Sequence, residues 1–288
     1  MEQYLSILEE ILQKGTKKSN RTGIDTYSIS GAVFEHDMSE GFPLITTKKI
    51  PYHLVASELE FFINGLTDKE WLKERNNHIW DGWCSPEIIP YDHNEETKEK
   101  MKQERDLGPI YGFQWRHFGA DYEGYNKDYT GKGIDQLEQV IKKLEKDPTD
   151  RRMIVTAWNP KDLDKMALPP CHYQFQVTVT DDKLNLMWSQ RSVDSMLGLP
   201  FNIASYGTLL HLLAKQGGFE EGKLVGFLGD VHIYENHLEG VSKQLKREPF
   251  KIPKIKTEEF TSVFDWNYND TKICDYVYYP HIKLEVAV

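Results

Sequence analysis

The sequence has few cysteines and no long apolar run. Its 288 residues include three cysteines, Cys84, Cys171 and Cys274, which are too few and too widely spaced for a disulfide framework or a zinc site. No apolar stretch approaches the roughly 20 residues that a membrane-spanning helix needs, and the first residues, MEQY, lack the basic-then-apolar pattern of a signal peptide. We therefore expect a cytoplasmic protein with no metal site and no membrane partner.

Basic residues are also outnumbered. The chain has 35 lysines and arginines against 45 aspartates and glutamates, for a formal net charge of −10. This sign argues against nonspecific nucleic-acid binding, which depends on a basic surface. A small anionic substrate remains compatible with it, because a local cluster of arginines inside an acidic shell is enough to bind one.

Patterns of apolar residues predict long helices and a separate run of strands. The predicted helices cover 2–14, 51–64, 134–146 and 202–217. The predicted strands cover 24–36, 151–158, 173–180, 183–191, 224–229 and 252–258. Residues 84–106 are rich in charge and poor in apolar anchors, so we interpret them as a small, partly helical surface excursion. This order of elements is typical of the α+β class, and we predict one domain over residues 1–288.

A cysteine after two prolines is the first candidate for chemistry. Cys171 follows Pro169 and Pro170 and precedes an alternating strand, so a rigid turn can present its sulfur to a cavity. The thiolate is the nucleophilic form, and it requires nearby positive charge. An inert, buried cysteine is the alternative, and the residues alone leave the two interpretations level. Cys84 and Cys274 lack a comparable setting, and we expect them to be inert.

A second cluster runs from Ser189 to Asn202. Arg191 and Ser192 at a strand end offer a planar cation and a hydroxyl, both suited to phosphate oxygens. We expect Asn202 to begin the following helix, where its amide can both donate to and accept from the edge of a uracil ring. Two simpler roles stay open: Asn202 can cap the helix, and Arg191 can form a surface ion pair.

Further polar residues point to an anionic, flat ligand. Arg21 lies in a flexible loop, and Arg151 and Arg152 begin a strand that soon becomes apolar. Arginines entering a buried strand require an anion or a carboxylate as partner. His232 and Tyr234 alternate, and so share one strand face. Aromatic residues concentrate at 78–83 and 111–116, where flat rings suit a stacked heteroaromatic ligand.

Together these segments resemble the thymidylate synthase family. The matching segments are 21–23 (RTG), 42–49 (FPLITTKK), 106–112 (DLGPIYG), 167–172 (ALPPCH), 190–192 (QRS), 199–206 (LPFNIASY) and the tail 282–288 (IKLEVAV). They span nearly the whole chain in the family's order. The resemblance implies an α+β sandwich, with a large twisted mixed sheet at a homodimer interface and flanking helices.

The resemblance also implies two substrates, dUMP and 5,10-methylenetetrahydrofolate. Arg151 and Arg152 are expected to reach across the dimer to the partner's nucleotide phosphate. The implied dUMP-binding residues are Arg21, Arg151, Arg152, His172, Gln190, Arg191, Ser192, Asn202, His232 and Tyr234. The implied folate-binding residues are Lys48, Ile79, Trp80, Trp83, Leu168, Asp194, Gly198, Phe201 and Ala287. The tail ending at Val288 is expected to close over both ligands.

The implied catalytic residues are Cys171, Glu58, Tyr111, Asn202 and Asp194. Cys171 would add to C6 of uracil, and Asn202 would stabilise the resulting enolate. Glu58 would organise proton transfers through water, and Tyr111 would hold the water that removes the C5 proton. Hydride from the folate would complete the methyl group, giving dTMP and dihydrofolate. Glu60 is unusual for the family, and we expect it to be structural or solvent-facing.

Two alternatives remain at this point. A pyrimidine-nucleotide hydroxymethylase would use the same cysteine and folate with water in place of hydride. Asn202 favours uracil over cytosine as its base, and Trp80 with the tail favours the synthase. A protein that only binds RNA is the alternative from another class. The acidic composition and the retained catalytic residues argue against that role.

Overall fold

A mixed six-stranded sheet forms the centre of the computed structural model, which describes residues 1–92 and 94–285. The strands lie in the order β1-β2-β6-β5-β4-β3. Their bounds are β1 Thr16–Lys18, β2 Thr26–Asp37, β3 Ile154–Thr156, β4 His172–Thr180, β5 Lys183–Asp194 and β6 Glu220–Tyr234. The β5–β6 pair is parallel and the other neighbours are antiparallel. A separate antiparallel pair consists of β7 (Lys254–Thr257) and β8 (Thr271–Cys274).

Eight α-helices lie among the described residues. They are α1 Glu2–Lys14, α2 Tyr52–Ile63, α3 Glu70–Lys73, α4 Glu95–Gln103, α5 Tyr111–His117, α6 Gln136–Lys146, α7 Gly198–Gly217 and α8 Leu238–Leu245. The predicted helices correspond to α1, α2, α6 and α7, and the excursion contains α4. No helix of the described chain is long and apolar enough to cross a bilayer. The mixture of helices with a mainly antiparallel sheet confirms the predicted α+β class.

The two faces of the central sheet differ. One face packs against the helices and carries fully buried side chains such as Phe175, Leu186 and Trp188. On the other face, Val33 and Phe227 are paired in register and are 56% and 50% exposed. Large apolar side chains are unusual on a sheet face that is open to solvent. The open face is therefore a candidate interface.

Helix α7 begins earlier than predicted. It starts at Gly198 instead of residue 202, directly after a turn in which the Asp194 side chain accepts the N–H groups of Met196 and Leu197, 3.0 Å from each. Pro200 is tolerated because a proline in the first helical turn has no intrahelical N–H partner to lose. The helix ends at Gly218, whose φ of 71° lies in the left-handed region.

Two predicted strands have different lengths in the structure. β6 runs over Glu220–Tyr234, far beyond the predicted 224–229. Its glycines interrupt the alternation of apolar and polar residues from which the shorter strand was predicted. β3 covers only Ile154–Thr156, so Arg151 and Arg152 lie in an exposed turn before it. The prediction that this arginine pair enters a buried strand is therefore wrong.

Glu60 is buried, with 6% of its surface exposed, and accepts the backbone N–H of Tyr268 at 2.8 Å. Its structural role is confirmed, and the solvent-facing alternative is wrong. The helix face that carries Glu60 packs against a later loop of the chain. Sequence periodicity cannot reveal such a contact.

A fully buried lysine attaches the excursion to the core. The Lys69 side chain donates to the carbonyl oxygens of Asp81 (3.0 Å), Trp83 (2.7 Å) and Met101 (2.6 Å). Burial lowers the pKa of Lys69 to about 8. Through Met101, this cation outside residues 84–106 is one of the groups that attach the excursion to the core.

Replacing Lys69 with methionine should destabilise the protein. Lys69→Met keeps the approximate volume but leaves three carbonyl oxygens without their donor, and we expect a loss of about 2–4 kcal/mol in the free energy of unfolding. Urea denaturation measures it. Lys73→Met is the matched control, because Lys73 donates to one carbonyl oxygen, that of Lys102, and otherwise pairs with the partly exposed Glu70 carboxylate at 3.5 Å; it should cost less than about 1 kcal/mol. Equal losses would contradict the assigned anchor.

Candidate active site

Cys171 lies in a tight setting immediately before β4. Its backbone N–H donates to the Tyr111 hydroxyl oxygen at 2.8 Å. The Arg191 guanidinium donates to the carbonyl oxygens of Pro169 (2.8 Å) and Pro170 (2.9 Å). These three contacts hold the turn that presents the thiol. Arg191 is thus held by carbonyl oxygens, and the surface ion-pair alternative does not describe it.

Two opposing effects act on the pKa of the Cys171 thiol. Burial raises the pKa of Cys171 above its ordinary value, while the positive charges of Arg191 and Arg21 act in the opposite direction. The charges of these two arginines therefore favour the nucleophilic thiolate form of Cys171. Cys84 is also buried, and burial raises its pKa to about 11 although the charge of Lys69 opposes the shift, as expected for an inert thiol.

Stacked aromatic rings form one wall beside Cys171. Tyr111 lies between Phe62 (centroid distance 4.8 Å) and His172 (4.4 Å), with interplanar angles of 24° and 26°. Nδ1 of His172 is 2.9 Å from the Tyr206 hydroxyl. Burial lowers the pKa of His172 to about 3, so the ring is neutral at physiological pH. The wall is rigid and uncharged.

Glu58 lies next to this wall on α2. Its Oε1 accepts the indole N–H of Trp80 at 2.7 Å. Burial raises the pKa of Glu58 from 4.5 to about 7, with the Trp80 hydrogen bond opposing the shift. A carboxyl group with this pKa exchanges protons readily near neutral pH, which is the property a general acid or base requires.

Asn202 lies in the second turn of α7, so it neither begins nor caps the helix; both of those expectations are wrong. Its Oδ1 accepts a hydrogen bond from Nε2 of Gln190 at 3.0 Å. Gln190 is itself buried, and its Oε1 accepts the indole N–H of Trp188 at 3.1 Å. The asparagine amide is therefore oriented by β5.

The parallel register of β5 and β6 places two more candidate pairs together. Ser192 lies opposite Asp230, and Asp194 lies opposite His232. The rings of His232 and Tyr234 are in edge-to-face contact at 5.3 Å. His232 Nδ1 lies 3.0 Å from Asp230 Oδ1. This polar edge continues from the end of β5 toward Asn202.

Four of the predicted folate-binding residues, Lys48, Asp194, Gly198 and Phe201, lie at or beside the start of α7. Lys48 is buried and donates to the Met196 carbonyl oxygen. Burial lowers the pKa of Lys48 to about 8, with Asp194 opposing the shift. The partly buried apolar members that pack on the core are Ile79, Trp83, Leu168 and Phe201. Gly198 opens α7, whereas Ala287 lies outside the described residues.

Two arginines remain apart from this cluster. Arg151 and Arg152 are exposed, and Arg152 donates to Asp150 Oδ1 at 2.9 Å. Arg21, by contrast, lies close enough to influence the thiol of Cys171. Within one chain the structure therefore brings together Cys171, Arg191, Arg21 and Asn202, without the arginine pair.

Sequence analysis missed Trp188, Tyr206 and Phe62. Two signals were present. Trp188 precedes Gln190 by two residues on one strand, and Tyr206 follows Asn202 by four residues on one helix, so each pair shares a face. The described residues contain no group of three or more His, Cys, Asp or Glu side chains suited to hold a metal ion.

Comparison with known proteins agrees with this geometry. A family model described as thymidylate synthase matches residues 2–288. The chain is 42% identical over 286 residues to a bifunctional dihydrofolate reductase-thymidylate synthase from Paramecium tetraurelia, covering 99% of the chain and 61% of the relative. Proteins with the same name from Leishmania major (44% over 290 residues) and Zea mays (42% over 287) are covered to 55% and 54%, again with 99% of the chain. The chain thus spans somewhat more than half of their length.

The pKa of Glu58 makes stability depend on pH. Because the pKa is raised in the folded state, the folded protein binds the proton more tightly. That contribution to stability is complete below pH 4.5 and is lost as pH rises through about 7. Compared with Glu58→Gln, the wild-type protein should lose about 1–3 kcal/mol of unfolding free energy over this interval. Glu9→Gln, at an exposed position on α1, is the control and should leave the pH profile unchanged; an unchanged profile for Glu58→Gln would contradict the assignment.

Proposed function

Because the chain belongs to the thymidylate synthase family, we propose that it converts dUMP to dTMP, with 5,10-methylenetetrahydrofolate as donor of both the one-carbon unit and the hydride. Dihydrofolate is the second product. The observation that carries the proposal is that Arg191 holds the turn before the Cys171 thiol and acts on its charge, while the neighbouring Gln190 orients the Asn202 amide. A nucleophile, a phosphate-binding cation and a base-reading amide are the three groups that this reaction needs.

Cys171 is the proposed nucleophile. C5 of uracil reacts poorly with an electrophile until a nucleophile adds to C6, and the thiolate supplies that addition. Arg191 and Arg21 stabilise the thiolate against the cost of burial. The same two arginines and Ser192 are proposed to bind the nucleotide phosphate. Substrate binding and activation of the thiol would thus use one cluster of charge.

Asn202 is proposed to stabilise the enolate that forms when the thiolate adds. The amide N–H donates to O4, where the negative charge develops, and the contact strengthens as the charge grows. Its orientation is held by Gln190 at 3.0 Å. A preoriented donor needs no rearrangement during the reaction, which is the source of the stabilisation.

Glu58, Trp80 and Tyr111 are proposed to manage protons and to exclude water. The Glu58 carboxyl group, with a pKa of about 7, can donate toward O4 and accept a proton back through water. The Trp80 N–H holds it in place at 2.7 Å. The Tyr111 hydroxyl accepts the backbone N–H of Cys171, and it is proposed to hold the water that removes the C5 proton.

A homodimer is proposed on the open face of the central sheet. Val33, Phe227 and Ile154, on three different strands, are 56%, 50% and 44% exposed, and the strand register places them on one face. A second copy on this face would bury them. Arg152 is exposed in the turn before Ile154, and it is proposed to reach the partner's phosphate site. We also propose a cytoplasmic location, which the three free cysteines support.

An absorbance assay with dUMP and 5,10-methylenetetrahydrofolate tests the reaction and its nucleophile. Wild-type protein should form dihydrofolate one-for-one with dTMP, and Cys171→Ala should lower the rate at least about 10⁴-fold because no covalent addition is available. Cys84→Ala is the matched control and should retain activity. Hydroxymethyl-dUMP without dihydrofolate would identify a hydroxymethylase instead, and the absence of any nucleotide product from folded protein would overturn both enzymes.

Mixing two inactive variants tests the shared active site. Arg152→Ala should lower turnover strongly, and Cys171→Ala should abolish it. In a mixed dimer, the Arg152→Ala subunit keeps its thiol and receives Arg152 from the Cys171→Ala partner, so one complete site returns. Activity should therefore reappear after the two variants exchange subunits. If Arg152 acted on the phosphate within its own chain, the mixture would stay inactive.

A further inference from the structure

An asparagine amide does not by itself distinguish uracil from cytosine. Uracil presents an acceptor at O4 beside a donor at N3, whereas cytosine presents a donor at N4 beside an acceptor at N3. A half-turn of the amide exchanges its oxygen and its nitrogen, so a freely rotating Asn202 would fit either edge. Discrimination therefore requires something that fixes the amide.

The described hydrogen bonds fix it through Gln190. An indole N–H only donates, so the Gln190 atom that lies 3.1 Å from Trp188 Nε1 must be the oxygen. The Gln190 nitrogen then donates to the Ser192 carbonyl oxygen (3.1 Å) and to Asn202 (3.0 Å). Because an amide nitrogen only donates, the Asn202 atom it meets must be Oδ1. The Asn202 nitrogen is left to face the ligand.

Trp188 is itself locked in place. It is fully buried and stacks on Tyr206 with a centroid distance of 5.3 Å and an interplanar angle of 10°. Its ring lies over Gly226, the residue opposite it on β6. A Cβ at position 226 would lie 2.4 Å from Cζ2 of Trp188, so a larger residue would displace the ring. The absence of a side chain at Gly226 creates the space that directs the indole N–H to Gln190.

We propose that Trp188, seated over Gly226, is a positioning residue that sets the preference for uracil over cytosine through Gln190 and Asn202. The inference rests on the proposed function, since it assumes that a pyrimidine nucleotide binds at Asn202. Loss of the indole N–H removes the hydrogen-bond partner of a buried amide oxygen. The Gln190 amide is then held in its orientation by the Ser192 carbonyl oxygen alone, so the turned form, with Asn202 turned as well, becomes less costly.

The test measures the dissociation constants of dUMP and dCMP by calorimetry for wild-type protein and three variants. Trp188→Phe keeps an aromatic ring but removes the N–H, and the ratio of the dCMP to the dUMP constant should fall about tenfold. Gln190→Leu removes the whole connection, and the ratio should fall about 100-fold. The double variant should match Gln190→Leu, because both changes act through one chain of contacts.

The ratio of the two dissociation constants is informative, because a purely structural loss would weaken the binding of both nucleotides equally. Trp266→Phe is the matched control: it removes another buried indole N–H, the one donated to Thr271 Oγ1 at 2.9 Å, and should leave the ratio unchanged. An unchanged ratio in Trp188→Phe, or effects that multiply in the double variant, would overturn the inference while leaving the reaction intact. Wild-type protein that binds neither nucleotide would instead overturn the proposed function on which it rests.

Discussion

The parallel pairing of β5 with β6 is the constraint on which the candidate site depends. Parallel neighbours require a crossover, and α7 supplies it as a helix whose central residues are buried. Because α7 begins directly after β5, Asn202 lies beside Gln190 of that strand. The antiparallel partner β4 then brings Cys171 to Arg191, whose backbone N–H donates to the Cys171 carbonyl oxygen at 2.8 Å. One strand thus positions the thiol, the cation and the amide.

Burial then sets the chemistry of the groups around that strand. It raises the pKa of Glu58 to about 7, lowers that of His172 to about 3 and lowers that of Lys48 to about 8. The same desolvation acts in opposite directions on acids and bases, so the site carries a proton-exchanging carboxyl group beside a neutral ring. At Cys171, two arginines oppose the burial cost. The proposed function uses their charges for both thiol activation and phosphate binding.

Much of the architecture could be predicted from local patterns, since α1, α2, α6, β4 and β5 each have a clear apolar period. The setting of Cys171 was also visible, as two prolines restrict the backbone wherever they occur. Features that depend on contacts with other parts of the chain could not be predicted. Asn202 seemed to begin a helix because glycine and proline precede it, but the helix begins at Gly198, directly after a turn held by Asp194. Whether Glu60 faces solvent depended on Tyr268, which lies more than 200 positions away in the sequence.

The Trp188 contact shows the same limit at the site itself. Its spacing from Gln190 is visible in the sequence, yet its orientation depends on the empty position at Gly226 on the neighbouring strand. The orientation of a side chain such as Trp188 depends on residues that only the strand register brings together. A sequence pattern therefore identifies which groups react more readily than it identifies which groups orient them.

Trapping the covalent intermediate tests the central claim most directly. With 5-fluoro-dUMP and 5,10-methylenetetrahydrofolate, the fluorine at C5 replaces the proton that must leave, so the thioether to C6 should persist. Intact-protein mass spectrometry should then show the chain with one nucleotide and one folate added, and peptide mapping should place both on Cys171. An unmodified chain, or an adduct on Cys84 or Cys274, would contradict the account.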